Sequence, residues 1–330
     1  MLTPERVDEL LAPLRATRRC LLAVSGGPDS TALLLLAREW TERVGGPELF
    51  AATVDHGLRR ESAHEAAAVA SLAERLGVPH ATLTWDGAKP ASRLQERARE
   101  ARYGLLVAHA KTLGAQALVT AHHLDDQAET VLMRFTRGSG IAGLAGMAAA
   151  SERDGLTISR PLLGVEKSEL VAICEAAGAA YVRDPSNESD RFARARLRRI
   201  LAEEGLDAAA LGRLARRAAQ VEAALRHAVE HAERTLRLIE TGACPADALL
   251  SQPREIAQRL VAAAIARIGL RDESRLGLEK IEALMEGLTT AHNQRQTFSA
   301  NVAGARLRLA HGRVVVSPEP PRRATDSKLL

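Results

Sequence analysis

Ser25-Gly26-Gly27-Pro28-Asp29-Ser30 lies between an apolar run at 20–24 and a Leu-rich stretch at 30–36. The first run reads as a short buried strand and the second as the start of an apolar helix, so the six residues between them form a strand-to-helix turn. This restricts the chain to a βα unit whose loop opens at the carboxyl end of a strand. Glycine lacks a Cβ and tolerates positive φ, so the backbone there can approach a ligand closely. Free N–H groups and the positive end of the following helix converge on one point, which favours an anion, with phosphate the natural candidate.

The loop is not a Walker A motif, which needs a Gly-Lys-Ser/Thr end; no Lys precedes Lys89. It carries an acid, Asp29, beside its two hydroxyls, Ser25 and Ser30. A carboxylate next to phosphates repels them unless a cation sits between, so Asp29 is the expected ligand of Mg²⁺ that takes most of its oxygens from phosphate. The whole loop resembles the pyrophosphatase loop of the ATP-dependent adenylating enzymes. That resemblance implies ATP as the bound nucleotide, cleaved between its first and second phosphorus atoms.

Strand-like and helix-like segments alternate through the first half. Strands are expected at 49–54, 80–85, 117–121 and 157–160, with helices at 62–76, 92–113, from about 125, and at 166–177. Repeated alternation implies a parallel sheet covered on both faces, with ligands bound beyond the carboxyl ends of its strands. Asp55 and His56 follow the second strand and are expected to contact the nucleotide. From about 205 the pattern becomes helical, over 205–240 and 253–288. The tail alternates apolar and polar residues around His311-Gly312, a hairpin signal. The expected organisation is an α/β catalytic domain at 1–204 and a smaller, mainly helical domain at 205–330 ending in a hairpin.

A second cluster follows the fourth strand: His122-His123-Leu124-Asp125-Asp126-Gln127-Ala128-Glu129-Thr130. Helical spacing lets Asp125, Asp126 and Glu129 share one helix end, where acids are also favoured by capping and by the helix dipole. The two adjacent histidines match no standard zinc spacing. With Arg137-Gly138-Ser139-Gly140, Gly143-Leu144-Ala145-Gly146-Met147, Arg160-Pro161-Leu162-Leu163 and Asp184-Pro185-Ser186-Asn187, this cluster resembles the tRNA(Ile)-lysidine synthase family over residues 20–200. Ala195 departs from it, standing where the family usually has Asn.

The resemblance implies a Rossmann-like ATP-pyrophosphatase fold and ligation of free lysine to C2 of the wobble cytidine in an isoleucine tRNA with a CAU anticodon. It implies ATP and Mg²⁺ as the requirements, an adenylated tRNA intermediate, and AMP and pyrophosphate as products. Asp126, with Asp125 and Glu129 as rivals, is the expected proton acceptor, and one of the three is free to serve Mg²⁺ instead. Arg97, Arg99 and Arg102 lie on one predicted helix as candidates for the lysine carboxylate, with His123 beside the substrate. Arg191, Arg194, Arg196 and Arg198, in a run with no acid, are candidates for tRNA phosphates.

Aromatic residues make up 2% of the chain, so RNA contact would rest on Arg more than on stacking. A net charge of +4 is mildly basic, and the longest aliphatic run is too short to span a bilayer. Arg15, Arg18 and Arg19 precede an apolar stretch too short for a signal peptide, so a cytoplasmic protein without membrane association is expected. Oligomeric state stays open, a homodimer being one option. Cys20, Cys174 and Cys244 lie far apart, which counts against a tRNA thiolase and its cysteine relay or cluster. An amidating synthetase would need an ammonia source. A non-catalytic ATP- or RNA-binding module would leave the acids at 125–129 without a task.

Overall fold

The computed structural model describes residues 2–55, 57, 62–86, 94–182, 196–197, 203–269 and 276–320. Two compact units divide the chain, Met1–Ala219 and Gln220–Leu330.

The first unit is built on a six-stranded sheet: β1 (Arg19–Ala23), β2 (Glu48–Asp55), β3 (His80–Thr84), β4 (Ala117–Val119), β5 (Ala150–Arg153) and β6 (Leu156–Ser159). Their order is β3-β2-β1-β4-β6-β5. The pairs β1–β2, β2–β3, β1–β4 and β4–β6 are parallel, and β5 joins β6 as an antiparallel edge. The chain builds outward from β1 to β3, then returns to place β4 on β1's other side. The order therefore reverses between β1 and β4, where open α/β sheets bind ligands.

Among the described residues this sheet is accompanied by α1 (Pro4–Leu11), α2 (Pro28–Val44), α3 (Ser62–Arg75), α4 (Leu94–Thr112), α5 (Leu124–Phe135), α6 (Ile141–Leu144) and α7 (Lys167–Ala176). Strand alternation sends neighbouring side chains to opposite faces. Cys20 and Leu22 of β1 join one core with Leu33, Trp40, Leu72 and Leu170, while Leu21 joins the opposite core with Tyr103, Leu106 and Ile158. A strand buried on both sides has no polar face, which explains the uninterrupted apolar run at 20–24.

The expected strands and helices of this half are present, their ends shifted by one or two residues. The antiparallel strand β5 was not anticipated. Its sequence, Ala-Ser-Glu-Arg, lacks β-branched residues, and it is held in place by the tight turn at Asp154-Gly155, both with positive φ.

The second unit takes the C-terminal part of α8 (Ala208–Leu236), then α9 (Leu238–Thr241), β7 (Ala243–Pro245), α10 (Ala246–Leu250), α11 (Arg254–Ile268), α12 (Leu278–Asn293), β8 (Phe298–Val302), β9 (Ala305–Ala310) and β10 (Arg313–Pro318). The hairpin expected around His311-Gly312 is β9–β10, and β8 and β7 extend it to an antiparallel sheet of order β7-β10-β9-β8. Leu307, Leu309, Val314 and Val316 pack on Leu260, Ile265, Leu284 and Leu288. Arg259 of α11 grips Glu222 with two hydrogen bonds of 2.7 and 2.9 Å and reaches Glu255 at 2.7 Å. Glu222 and Arg259 are both largely shielded, so removing one partner strands a charge. Arg259→Ala is expected to lower stability by about 1–3 kcal/mol. Arg259→Ala/Glu222→Ala should recover part of that loss, as read by urea unfolding.

Candidate active site

Gly26 adopts φ +84°, and a Cβ there would stand 3.2 Å from Val69 Cγ2, so the turn after β1 requires glycine at this position. Its carbonyl accepts from the Val182 N–H at 2.8 Å. Gly27 caps α2 with extended geometry and Pro28 opens the helix, where its missing N–H costs nothing. Ser30 is buried: its Oγ accepts the Ser25 N–H at 3.0 Å and donates to the Gly27 carbonyl at 3.1 Å. The Ser30 hydroxyl thus stitches the loop to itself, while Ser25 is exposed at its rim. Cys174 of α7 donates its thiol to the Pro28 carbonyl at 3.3 Å. Burial first, then the nearby Asp29 charge, raises this thiol to about 11, which leaves it an inert packing group.

Asp29 lies in the first turn of α2 and its Oδ2 is 3.5 Å from His123 Nε2. Its other oxygen, Oδ1, is buried with no hydrogen-bond partner among the described residues. A buried carboxylate oxygen without a donor fits a cation ligand better than a structural role.

The adjacent strand supplies the other side. Thr120 continues from β4 to β6 through the Ser159 carbonyl at 2.9 Å, and its hydroxyl meets His122 Nδ1 at 2.9 Å. His123 then caps α5. Its backbone N–H donates to Asp126 Oδ2 at 3.2 Å, and its side chain is only 3% exposed. The ring places Nε2 at 3.5 Å from Asp126 Oδ2 and Nδ1 at 3.3 Å from Asp125 Oδ2, the latter off the line of a hydrogen bond. Burial works against a charge on this ring, but Asp125, Asp29 and Asp126 outweigh it and bring His123 to about 10. Asp125 is held below the usual carboxylate range, chiefly by His123 and, after the opposing effect of burial, by the Lys167 N–H at 3.2 Å.

Glu129, one turn further along α5, is completely buried. Gln127 faces the other way and mimics a backbone partner for the following loop: Nε2 donates to the Met147 carbonyl at 3.0 Å and Oε1 accepts its N–H at 2.7 Å. Gly146 has φ +66°, and a Cβ on it would lie 2.6 Å from Gln127 Oε1. Arg134 closes the same loop on the carbonyls of Gly143 and Gly146, at 3.1 and 2.6 Å. The glycine motif at 143–146 is thus bound to the helix that carries the acids. Sequence reading did not single out Gln127 or Arg134, though helical spacing places both on the helix of Asp126.

Asp55 Oδ1 accepts from the Gly57 N–H at 2.9 Å and from Ser62 Oγ, at the start of α3, at 2.6 Å. Arg97, Arg99 and Arg102 are exposed on α4, with Arg99 5.3 Å from the Tyr103 ring centre. Arg196 is exposed, whereas His56, Arg191, Arg194 and Arg198 lie outside the described residues.

A protonated His123 between three carboxylates has a definite pH signature. Its folded value of about 10 exceeds the ordinary 6.5, so its stabilising contribution is complete below about 6.5 and disappears as pH rises through about 10. Imidazole NMR is expected to show His123 protonated at pH 8, and His123→Gln should abolish the loss of stability in that window.

Comparison with known proteins gives a consistent picture. The PP-loop domain family matches residues 2–204. The tRNA(Ile)-lysidine synthase of Rhodopseudomonas palustris is 48% identical over 328 residues, covering 95% of this chain and 94% of that relative. The protein of the same name from Methylobacterium sp. strain 4-46 is 50% identical over 313 residues, 92% of this chain and 90% of its own. Among solved structures, the U34-tRNA thiolase NcsA of Methanococcus maripaludis superposes with a TM-score of 0.56 at 19% identity, covering 65% of this chain and 77% of that one. This last likeness concerns the fold alone.

Proposed function

Because this chain belongs to the tRNA(Ile)-lysidine synthase family, ligases that form a carbon–nitrogen bond, we propose that it joins free lysine to C2 of the wobble cytidine of isoleucine tRNA. The observation that carries this reading is the meeting of Asp29, Asp125 and Asp126 at one buried imidazole, where the loop after β1 meets the helix after β4.

A cytosine carbonyl oxygen is a poor leaving group until it carries AMP. In the first step that oxygen attacks the α-phosphorus of ATP and pyrophosphate leaves. The loop at 25–30 would hold the β and γ end through its backbone N–H groups and the start of α2. The orphaned Oδ1 of Asp29 suits Mg²⁺, which when bound would neutralise charge on the departing pyrophosphate. In the second step the lysine amine attacks C2 and AMP departs. That amine, with an ordinary pKa near 10.4, carries a deprotonation cost of about 4.6 kcal/mol at pH 7. A carboxylate must take its proton. Asp125 is a poor choice because His123 and the Lys167 N–H depress its basicity. Asp126, at the helix cap, is assigned that role, while Glu129 one turn further along is fully buried. His123 is charged at neutral pH, so it cannot accept a proton. It acts as the counter-ion that lets three acids share one space.

The thiolase alternative has no support from sulfur chemistry. Cys20, Cys174 and Cys244 are buried free thiols, and burial raises all three above the ordinary range. Arg191, Arg194, Arg196 and Arg198 remain the proposed contacts for tRNA phosphates, and Arg97, Arg99 and Arg102 the candidates for the lysine carboxylate. Among the described residues no helix is long and apolar enough to cross a membrane.

Labelled lysine, ATP and an isoleucine tRNA transcript test the whole reading: label must enter the tRNA and AMP must appear, and failure of either rejects it. Asp126→Asn is expected to lower lysine transfer about 10²–10⁴-fold while tRNA-dependent pyrophosphate release persists. Asp29→Asn should depress both. Arg194→Ala/Arg196→Ala should reduce the salt slope of tRNA binding by about 1–2. An unchanged slope would make that run an ordinary solvated surface.

A further inference from the structure

The four-stranded sheet of the second unit has two unlike faces, and only one belongs to the core. The register settles which residues share the outer one. Val314 and Val316 point inward with Leu307 and Leu309, so alternation turns Arg306 and Arg308 of β9, with Arg313, Val315 and Ser317 of β10, to the other side. Arg306 lies opposite Ser317 and Asn301, Arg308 opposite Val315 and Ser299, and Arg313 opposite Ala310 and Pro245. Three arginines therefore form a diagonal row, with successive members of a strand roughly 7 Å apart. That step is similar to the spacing of neighbouring phosphates on an RNA strand.

Structural explanations for this row are weak. Charges that guard a sheet against edge-to-edge pairing belong on edge strands, yet here they stand on the two central strands, β9 and β10. The edges carry Ala243, Pro245, Ser299 and Asn301 on that face. No strand position on the outer face is acidic. Among the described residues none of the three arginines makes an ion pair. The nearest carboxylate in the network, Glu319, accepts from Asn301 Nδ2 at 3.1 Å, and Asn301 Oδ1 in turn accepts from Arg306 Nε at 3.2 Å. Like charges gathered on one face cost stability unless a polyanion offsets them. Arg308 and Arg313 are exposed and Arg306 half-buried, and the neighbouring Ser299, Asn301 and Ser317 add hydrogen-bonding groups suited to phosphate or ribose.

We propose that the outer face of this sheet is a phosphate-backbone contact surface for the tRNA substrate, with Arg306, Arg308 and Arg313 as its charged contacts. The inference rests on the tRNA-ligase reading above and adds a second site of grip, on the opposite unit from the chemistry. It reads backbone rather than sequence, because arginine–phosphate pairing is indifferent to the base.

The full-length protein with Arg306→Gln/Arg308→Gln/Arg313→Gln tests it. Expected is a rise of roughly 10-fold or more in KM for tRNA near physiological salt, with the log–log salt slope of tRNA binding reduced by about 2–3. The KM values for ATP and lysine should not move, which also reports an intact catalytic unit. The corresponding triple Lys variant keeps the charge and should keep the salt slope, separating electrostatics from folding damage. Unchanged tRNA affinity and slope in the Gln variant would overturn the proposal, as would a slope lost equally in the Lys variant. Direct tRNA binding is measured without turnover. A wild-type protein that binds tRNA through this face yet makes no lysidine would therefore refute the enzymatic reading alone.

Discussion

Charge balance at His123 is the constraint around which the catalytic unit is organised. Three carboxylates close together, only partly exposed to water, repel one another. A single buried imidazolium, brought to about 10 by Asp125, Asp29 and Asp126 against the penalty of burial, makes their approach tolerable. Asp29, Asp125 and Asp126 thereby stand together around one ring near the start of α2. The arrangement also differentiates them. Asp125 is drawn down by its contacts, Asp29 retains an oxygen with no donor, and Asp126 sits on the rim of the helix cap.

The scaffold makes that balance rigid at modest cost. Asp29 and His123 are each within the first turn or cap of a helix whose preceding strand is buried in the sheet centre. The helix N-termini contribute partial positive charge to the same space, which favours both the acids and incoming phosphate. Gln127 and Arg134 tie the 143–147 loop to α5 through backbone hydrogen bonds, so the acid-bearing helix is braced from outside the site. The second unit has its own core and shows a comparable economy: one side of its sheet packs on α11 and α12 while the other remains polar and basic.

Much of this was legible in local chemistry. The turn at 25–30 was readable because glycine, proline and flanking apolar runs leave few conformations open, and the acids at 125–129 because helical spacing is regular. The hairpin at 305–318 followed from alternation. Harder to see were β5, whose residues have no strand preference, and β7 and β8, whose pairing is contributed by partners distant in the chain. His123 was legible as a site residue but not as the shared counter-ion, since its partners lie both near it and 94 residues away in the loop.

The amino-acid sequence by itself determined that a phosphate-type loop, an acidic helix start and a parallel α/β sheet would exist, because each follows from steric and periodic rules acting over a few residues. Only the tertiary structure decided that they meet. The return of β4 to the side of β1 opposite β2 puts two distant loops at one crevice, and long-range strand order is not encoded in any local pattern. The same holds for the arginine row of the second sheet: alternation predicts its inward and outward residues, but only register and strand order show that the charges lie in the centre of a single face.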